Sequence, residues 1–189
     1  MRSPALALSP AAPRARWLLA LCLAVAAPLA QAALAVGQPA PPVRAEAALA
    51  GKPQAFELAA ALKRGPVVLY FFPKAFTQGC TIEANAFAEA SPQFTTADAT
   101  VIGMSHDDIA TLTRFSSEAC RDRFAVAADP QGRVIRAFDA EAAARPGTAQ
   151  RLSYVIGQDG RIAFVHSGAN PLEHVSETLK AVQALQAKR

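Results

Sequence analysis

The chain has 189 residues, a formal net charge of +4, 52% hydrophobic residues and three cysteines. The charges are interspersed, with no block of one sign and no basic patch interleaved with aromatics, which argues against a nucleic-acid partner. His106, His166 and His174 are scattered singly, no cysteine–histidine cluster has metal spacing, and no glycine-rich phosphate loop is present.

The first residues read as a targeting segment. Arg2, Arg14 and Arg16 precede "WLLALCLAVAAPLA", an apolar run too short and too proline-interrupted to span a bilayer comfortably. Ala30 and Ala32 then supply the small residues of a cleavage site, so residues 1–32 are predicted to be a cleaved secretory signal peptide and residues 33–189 a single domain. Cleavage would remove three arginines, Trp17 and Cys22, and so lower the net charge from +4 to +1. The predicted compartment is the periplasm, which permits disulfides, with no stable membrane association after cleavage. Only Cys80 and Cys120 would remain, few enough to suggest chemistry rather than a disulfide framework.

Val36 to Ala45 is a proline-rich, extended lead-in, and "GKPQAFEL" predicts a turn and a short edge strand. "AAALKRG" predicts a short helix ending at Gly65. "PVVLYFF" is a continuous apolar run with β-branched and aromatic residues, too short for a helix, and reads as a strand buried on both faces. "TIEANAFAEA" predicts a helix that stops at Ser91-Pro92, and "ATVIGMS" a second buried strand. Ile109, Leu112, Phe115 and Ala119 mark one apolar stripe of a helix, with Asp107 and Asp108 as acids of its first turn. "FAVAADPQGRVIRAF" predicts a short strand, a turn and a helical turn. "RLSYVIGQDGRIAFVH" predicts a hairpin about Gln158-Asp159-Gly160. The last helix starts at Asn170 as N-cap with Pro171 at its first position. Buried strands alternating with helices, followed by a hairpin, predict an α/β domain with a central mixed sheet covered by helices on both faces, the thioredoxin-like arrangement.

The chemistry concentrates in "PKAFTQGC", Pro73 to Cys80. Placed between a strand and a helix, Cys80 falls in the first helical turn, where free N–H groups and the positive end of the dipole favour a thiolate. An ordinary thiol, with a pKa of about 8.5, is only slightly ionised at neutral pH. Arg151, at the head of a strand in the same sheet, could add a cation, and Thr77 offers a hydroxyl across the turn. Taken singly, each has a plain structural role: Cys80 as a small buried hydrophobe, Arg151 as a surface ion-pair residue, Thr77 as a turn residue. It is their combination that makes a pocket for a small polar oxidant.

The pattern Pro-x-x-x-Thr-x-x-Cys, within "YFFPKAFTQGCTIEA", resembles peroxiredoxins, and most closely their bacterioferritin comigratory protein or peroxiredoxin Q branch. "VIGMSHDD", "VAADPQGRVIRAFDA" and "RLSYVIGQDGRI" extend the resemblance over most of residues 33–189. The resemblance implies a thiol-dependent peroxidase acting on hydrogen peroxide or organic hydroperoxides without a cofactor. It makes Cys80 the peroxidatic nucleophile, Pro73 its shield from water, and Thr77 and Arg151 the groups that position the peroxide. Cys80 would pass through a sulfenic acid and be reduced by a thioredoxin-like, glutaredoxin-like or small thiol partner, in a monomer or weak dimer.

Two positions depart from the branch. Asn85 stands where many members carry a resolving cysteine, and Gln78 where a proline is common. Cys120 is the remaining candidate for resolving Cys80. Continued helical phase puts it roughly 85° from the centre of the apolar stripe, at the rim of the buried face. The other outcome is resolution by an outside thiol. Two rival functions are a thiol–disulfide oxidoreductase, which normally needs a cysteine where Thr77 stands, and a non-catalytic redox-sensing or binding module on the same fold.

Overall fold

The computed structural model describes residues 33–187. The predicted signal peptide and its cleavage point lie outside them. Among the described residues no helix is long and apolar enough to cross a membrane.

One seven-stranded sheet organises the domain. Its strands are β1 (Arg44–Leu49), β2 (Lys52–Glu57), β3 (Val67–Phe71), β4 (Thr100–Ser105), β5 (Ala125–Ala128), β6 (Leu152–Ile156) and β7 (Ile162–Ser167). They lie in the order β2-β1-β5-β4-β3-β6-β7. β3, β4 and β5 run parallel, β1 and β6 flank them antiparallel, and β2 and β7 pair antiparallel with β1 and β6. The helices are α1 (Leu58–Leu62), α2 (Gln78–Thr96), α3 (Ile109–Glu118), α4 (Arg133–Ala137) and α5 (Pro171–Gln186).

The continuous apolar run of β3 explains its central place. Successive side chains point to opposite faces. Val68 and Tyr70 enter the core under α2, α3 and α5, with Phe87, Phe94, Leu112, Phe115 and Val182. Val67, Leu69 and Phe71 enter the second core, with Leu58, Ile135, Phe138 and Tyr154. A strand with two buried faces needs apolar residues at every position. The mixed sheet with helices on both faces is the predicted architecture.

Three local expectations are corrected. The lead-in continues into β1, whose alanine-rich "RAEAAL" carries little strand propensity; it forms because it is paired on both sides, by β2 and β5. α2 does not stop at Ser91-Pro92 but runs on to Thr96. Phe87, Ala90 and Phe94 keep one face buried across the proline, and that burial outweighs the lost backbone bond. α3 ends at Glu118, so Cys120 lies two residues past it, and extrapolated helical phase misplaces it. Its backbone N–H bonds back to the Phe115 carbonyl at 3.1 Å, and it is fully buried instead of lying at a rim.

Candidate active site

The chain leaves β3 through Phe72 and Pro73 and turns into α2. Thr77 is the N-cap of α2, with extended backbone, and its side chain makes no capping bond. The first N–H groups of the helix therefore have no acceptor in the Thr77 side chain, and Cys80 is the third residue of α2. The Thr77 hydroxyl instead donates to the Lys74 carbonyl at 2.9 Å. Its proton is committed there, and its lone pairs remain free to accept from a bound molecule.

The loop between strand and helix is held by Asp107. Its Oδ2 accepts from the Ala75 N–H and from the Ser105 hydroxyl, each at 2.8 Å. This corrects the reading of Asp107 as a helix acid. Asp108 is the N-cap of α3 and accepts from the Thr111 N–H at 2.7 Å. Phe76 sits in the left-handed region at φ 63°, a conformation that costs a non-glycine residue about 1 kcal/mol or more. Its ring packs edge-on against Phe115, with centroids 5.2 Å apart, and Arg114 lies over it.

Arg151, directly before β6, completes the arrangement. Its Nη2 donates to Cys80 Sγ at 3.6 Å, and its Nη1 donates to Glu83 Oε2. Gly79 makes room: a Cβ there would meet Arg151 Nη2 at 3.1 Å. Pro73, Thr77, Cys80 and Arg151 line one cleft, whose walls also carry Lys74, His106, Asp107 and Arg145. The guanidinium gives a thiolate at Cys80 an opposite charge at close range in a largely dry site.

Glu83, Ser153 and His174 did not stand out in the sequence. Glu83 is wholly buried. Burial pushes its carboxyl up to about 8, with Arg151 pulling against that rise. His174 is also wholly buried. Its Nδ1 is 2.8 Å from the Ser153 hydroxyl and 4.0 Å from Glu83 Oε1, and its Nε2 donates to the Gly168 carbonyl at 3.0 Å. Burial lowers His174 to about 4, so the ring is neutral at ordinary pH. The available signal for Glu83 was its spacing, three residues after Cys80 on the same helix face.

Asn85, in the place of a resolving cysteine, accepts from Arg121 Nε at 3.1 Å, and Glu89 pairs with Arg121 at 3.2 Å. The position ties α2 to the segment after α3. Burial, and next the charge of Asp122, push the Cys120 thiol far up. Cys80 and Cys120 are both free thiols. Among the described residues no group of acids, histidines and cysteines could hold a metal ion.

Residues 36–165 match the model of the AhpC/TSA family. The chain belongs to the AhpC/TSA family. It is 33% identical over 124 residues to a chloroplastic peroxiredoxin Q of Oryza sativa subsp. japonica, an alignment covering 65% of this chain. The chain spans only 57% of that relative's length. Among solved structures, peroxidoxin BcpB from Mycobacterium tuberculosis superposes with a TM-score of 0.72 at 26% identity, covering 79% of this chain and 97% of the other. Xanthomonas campestris peroxiredoxin Q, at 24% identity and a TM-score of 0.66, covers 75% and 90% respectively and shares the fold.

Proposed function

We propose that this AhpC/TSA-family chain is a thiol-dependent peroxidase with Cys80 as the peroxidatic nucleophile. The observation that carries the reading is the placement of Cys80 in the first turn of α2 with Arg151 Nη2 3.6 Å from its sulfur. The Cys80 thiolate attacks one oxygen of the peroxide, and water or an alcohol leaves. Thr77 accepts a hydrogen bond from the peroxide hydroxyl, and Arg151 stabilises charge as the O–O bond breaks. Pro73, which lines the cleft, shields the thiolate from bulk water on this reading. The names of the relatives as peroxiredoxins support the same chemistry.

The substrates fitting the site are hydrogen peroxide and organic hydroperoxides. The buried, neutral Cys120 thiol is a poor nucleophile, which favours release of the sulfenic acid by an outside thiol, thioredoxin-like or small. A periplasmic site of action rests on the N-terminal sequence, with its arginines, apolar run and Ala30-Gln31-Ala32. Disulfide exchange is the weaker reading, because Thr77 stands where that chemistry needs a second cysteine.

The test is direct. Hydrogen peroxide is added in equimolar amount to the reduced protein, and thiol loss and intact mass are followed over seconds. Rapid loss confined to Cys80 is the expected result. A thiol count unchanged over minutes rejects the peroxidase reading.

A further inference from the structure

Two acidic groups share one half-buried cation. Arg151 donates to Glu83 from one nitrogen and to Cys80 from another, while Glu83 and Cys80 are 0% and 2% exposed. Water compensates neither, and a single guanidinium balances a single anion.

Among the described residues, the surroundings of Glu83 supply no second positive charge. Its Oε1 has no hydrogen-bond partner. From α5, His174 faces that oxygen at 4.0 Å. The Gly168 carbonyl requires a proton on His174 Nε2, so Nδ1 of the neutral ring accepts from the Ser153 hydroxyl. From β3, the Tyr70 hydroxyl is buried and unpaired, and burial above all raises it well beyond the usual tyrosine range. His166 and Glu173 act on His174. Lys74, His106, Asp107 and Arg145 line the cleft on the Cys80 side, and Arg151 is the cation bonded to both Glu83 and Cys80.

We propose that Glu83 and Cys80 carry one negative charge between them: Glu83 holds a proton while Cys80 is a thiolate, and gives it up when Cys80 is oxidised. The proposal rests on the peroxidase reading. In the step, Cys80 sulfur attacks the hydroxyl oxygen of the peroxide. The S–O bond forms, the O–O bond breaks, sulfur loses two electrons and the peroxide gains them. The departing alkoxide, or hydroxide, takes up a proton from solvent, and Glu83 releases one to solvent. Thiolate, protonated Glu83 and hydroperoxide become neutral sulfenic acid, ionised Glu83 and alcohol or water, so atoms and charge balance. The buried cluster keeps one cation and one anion throughout. Before reaction the guanidinium belongs to the nucleophile, and afterwards it belongs to Glu83. Burial, which raises the Glu83 carboxyl to about 8, favours the protonated starting state at neutral pH.

The experiment is infrared difference spectroscopy on the full chain at neutral pH, reduced against oxidised with equimolar hydrogen peroxide, with a thiol titration on the same sample. The expected result is loss of one protonated-carboxyl C=O band and gain of carboxylate bands, both missing in Glu83→Gln. Sulfenic acid and disulfide sulfur are both uncharged, so the signal does not depend on which forms. Thiol loss without change in the C=O region overturns the proposal and leaves the peroxidase reading standing. Absence of thiol loss overturns both. Because the wild-type chain carries the signal, the result holds even if the variant fails to fold.

Discussion

Arg151 Nη2 stands 3.6 Å from Cys80 Sγ because the same guanidinium is anchored through Nη1 to Glu83, one helical turn beyond the cysteine. The helix thus supplies both the sulfur and the carboxyl group that fixes the arginine's orientation. Gly79, between Thr77 and Cys80, keeps the space through which the guanidinium reaches them.

Lysine at position 151 would keep a charge but lose the planar fork that reaches two partners at once. Arg151→Lys is expected to slow oxidation of Cys80 by hydrogen peroxide by about 100-fold, the scale of losing one preorganised donor. Rapid-quench thiol counting measures it. A rate within twofold of wild type would mean that the fork is dispensable.

Tyr70 poses a separate question of stability. Its hydroxyl is buried without a partner, and its ring stacks on Phe87 at 4.5 Å. It occupies space that only a glycine leaves on β4, since a Cβ at Gly103 would meet Tyr70 Cζ at 2.7 Å. An unpaired buried hydroxyl costs free energy that its removal recovers. Tyr70→Phe should therefore stabilise the fold by about 1 kcal/mol, read as a higher urea midpoint at unchanged slope. A lower midpoint would show that the hydroxyl does have a stabilising partner, such as an internal water.

The buried pair Glu83 and His174 sets the pH dependence of stability. Glu83 is raised from 4.5 to about 8, so its contribution is complete at low pH and is lost as pH rises, because the unfolded chain gives up this proton first. His174 is lowered from 6.5 to about 4, so its contribution is complete above 6.5 and is lost as pH falls towards 4. Between about 4.5 and 6.5 the two slopes cancel. In Cys80→Ser, where no thiol titrates beside it, Glu83 acts alone from about 6.5 to 8, and stability should fall by about 2 kcal/mol. Urea unfolding across this range is the measurement, and Glu83→Gln should flatten the alkaline fall. An equally steep fall in the variant would assign it to another group.

The legibility of this chain in its sequence follows from where the signals are local. The unbroken apolar run of β3, the turn at Gly160 and the caps Asn170 and Pro171 act within a few residues, and each marked its element. "PKAFTQGC" carries its own strand-to-helix turn, so Thr77 and Cys80 could be placed together, with Arg151 added from its place at the head of a strand in the same sheet. β1 was missed because its alanines pair only through neighbours distant in sequence. α2 passes Pro92 because Phe94 is buried by tertiary packing. Glu83 and His174 were overlooked for the same reason: a carboxyl at the third residue after a cysteine looks solvated until β6 and α5 close over it.

On the peroxidase reading, the state of Cys120 bears on how an oxidised Cys80 is reduced. It lies past the end of α3, with no exposed surface, and its thiol is pushed far up by burial and then by Asp122. A resolving attack needs a thiolate that can reach the Cys80 sulfur. Burial keeps the Cys120 thiol protonated, and α2 is pinned by the bonds from Arg121 to Asn85 and Glu89. After equimolar hydrogen peroxide, intact mass should rise by one oxygen, and peptide mapping should place it on Cys80. Turnover with a small dithiol as reductant should change by less than about twofold in Cys120→Ala, since the thiol takes no part in nucleophilic attack. The same variant should lose about 1–2 kcal/mol of stability, because it removes a buried sulfur and leaves a small cavity. Loss of two hydrogens in place of oxygen gain, together with collapse of turnover in the variant, would establish a Cys80–Cys120 disulfide and require the segment after α3 to unfold during the cycle.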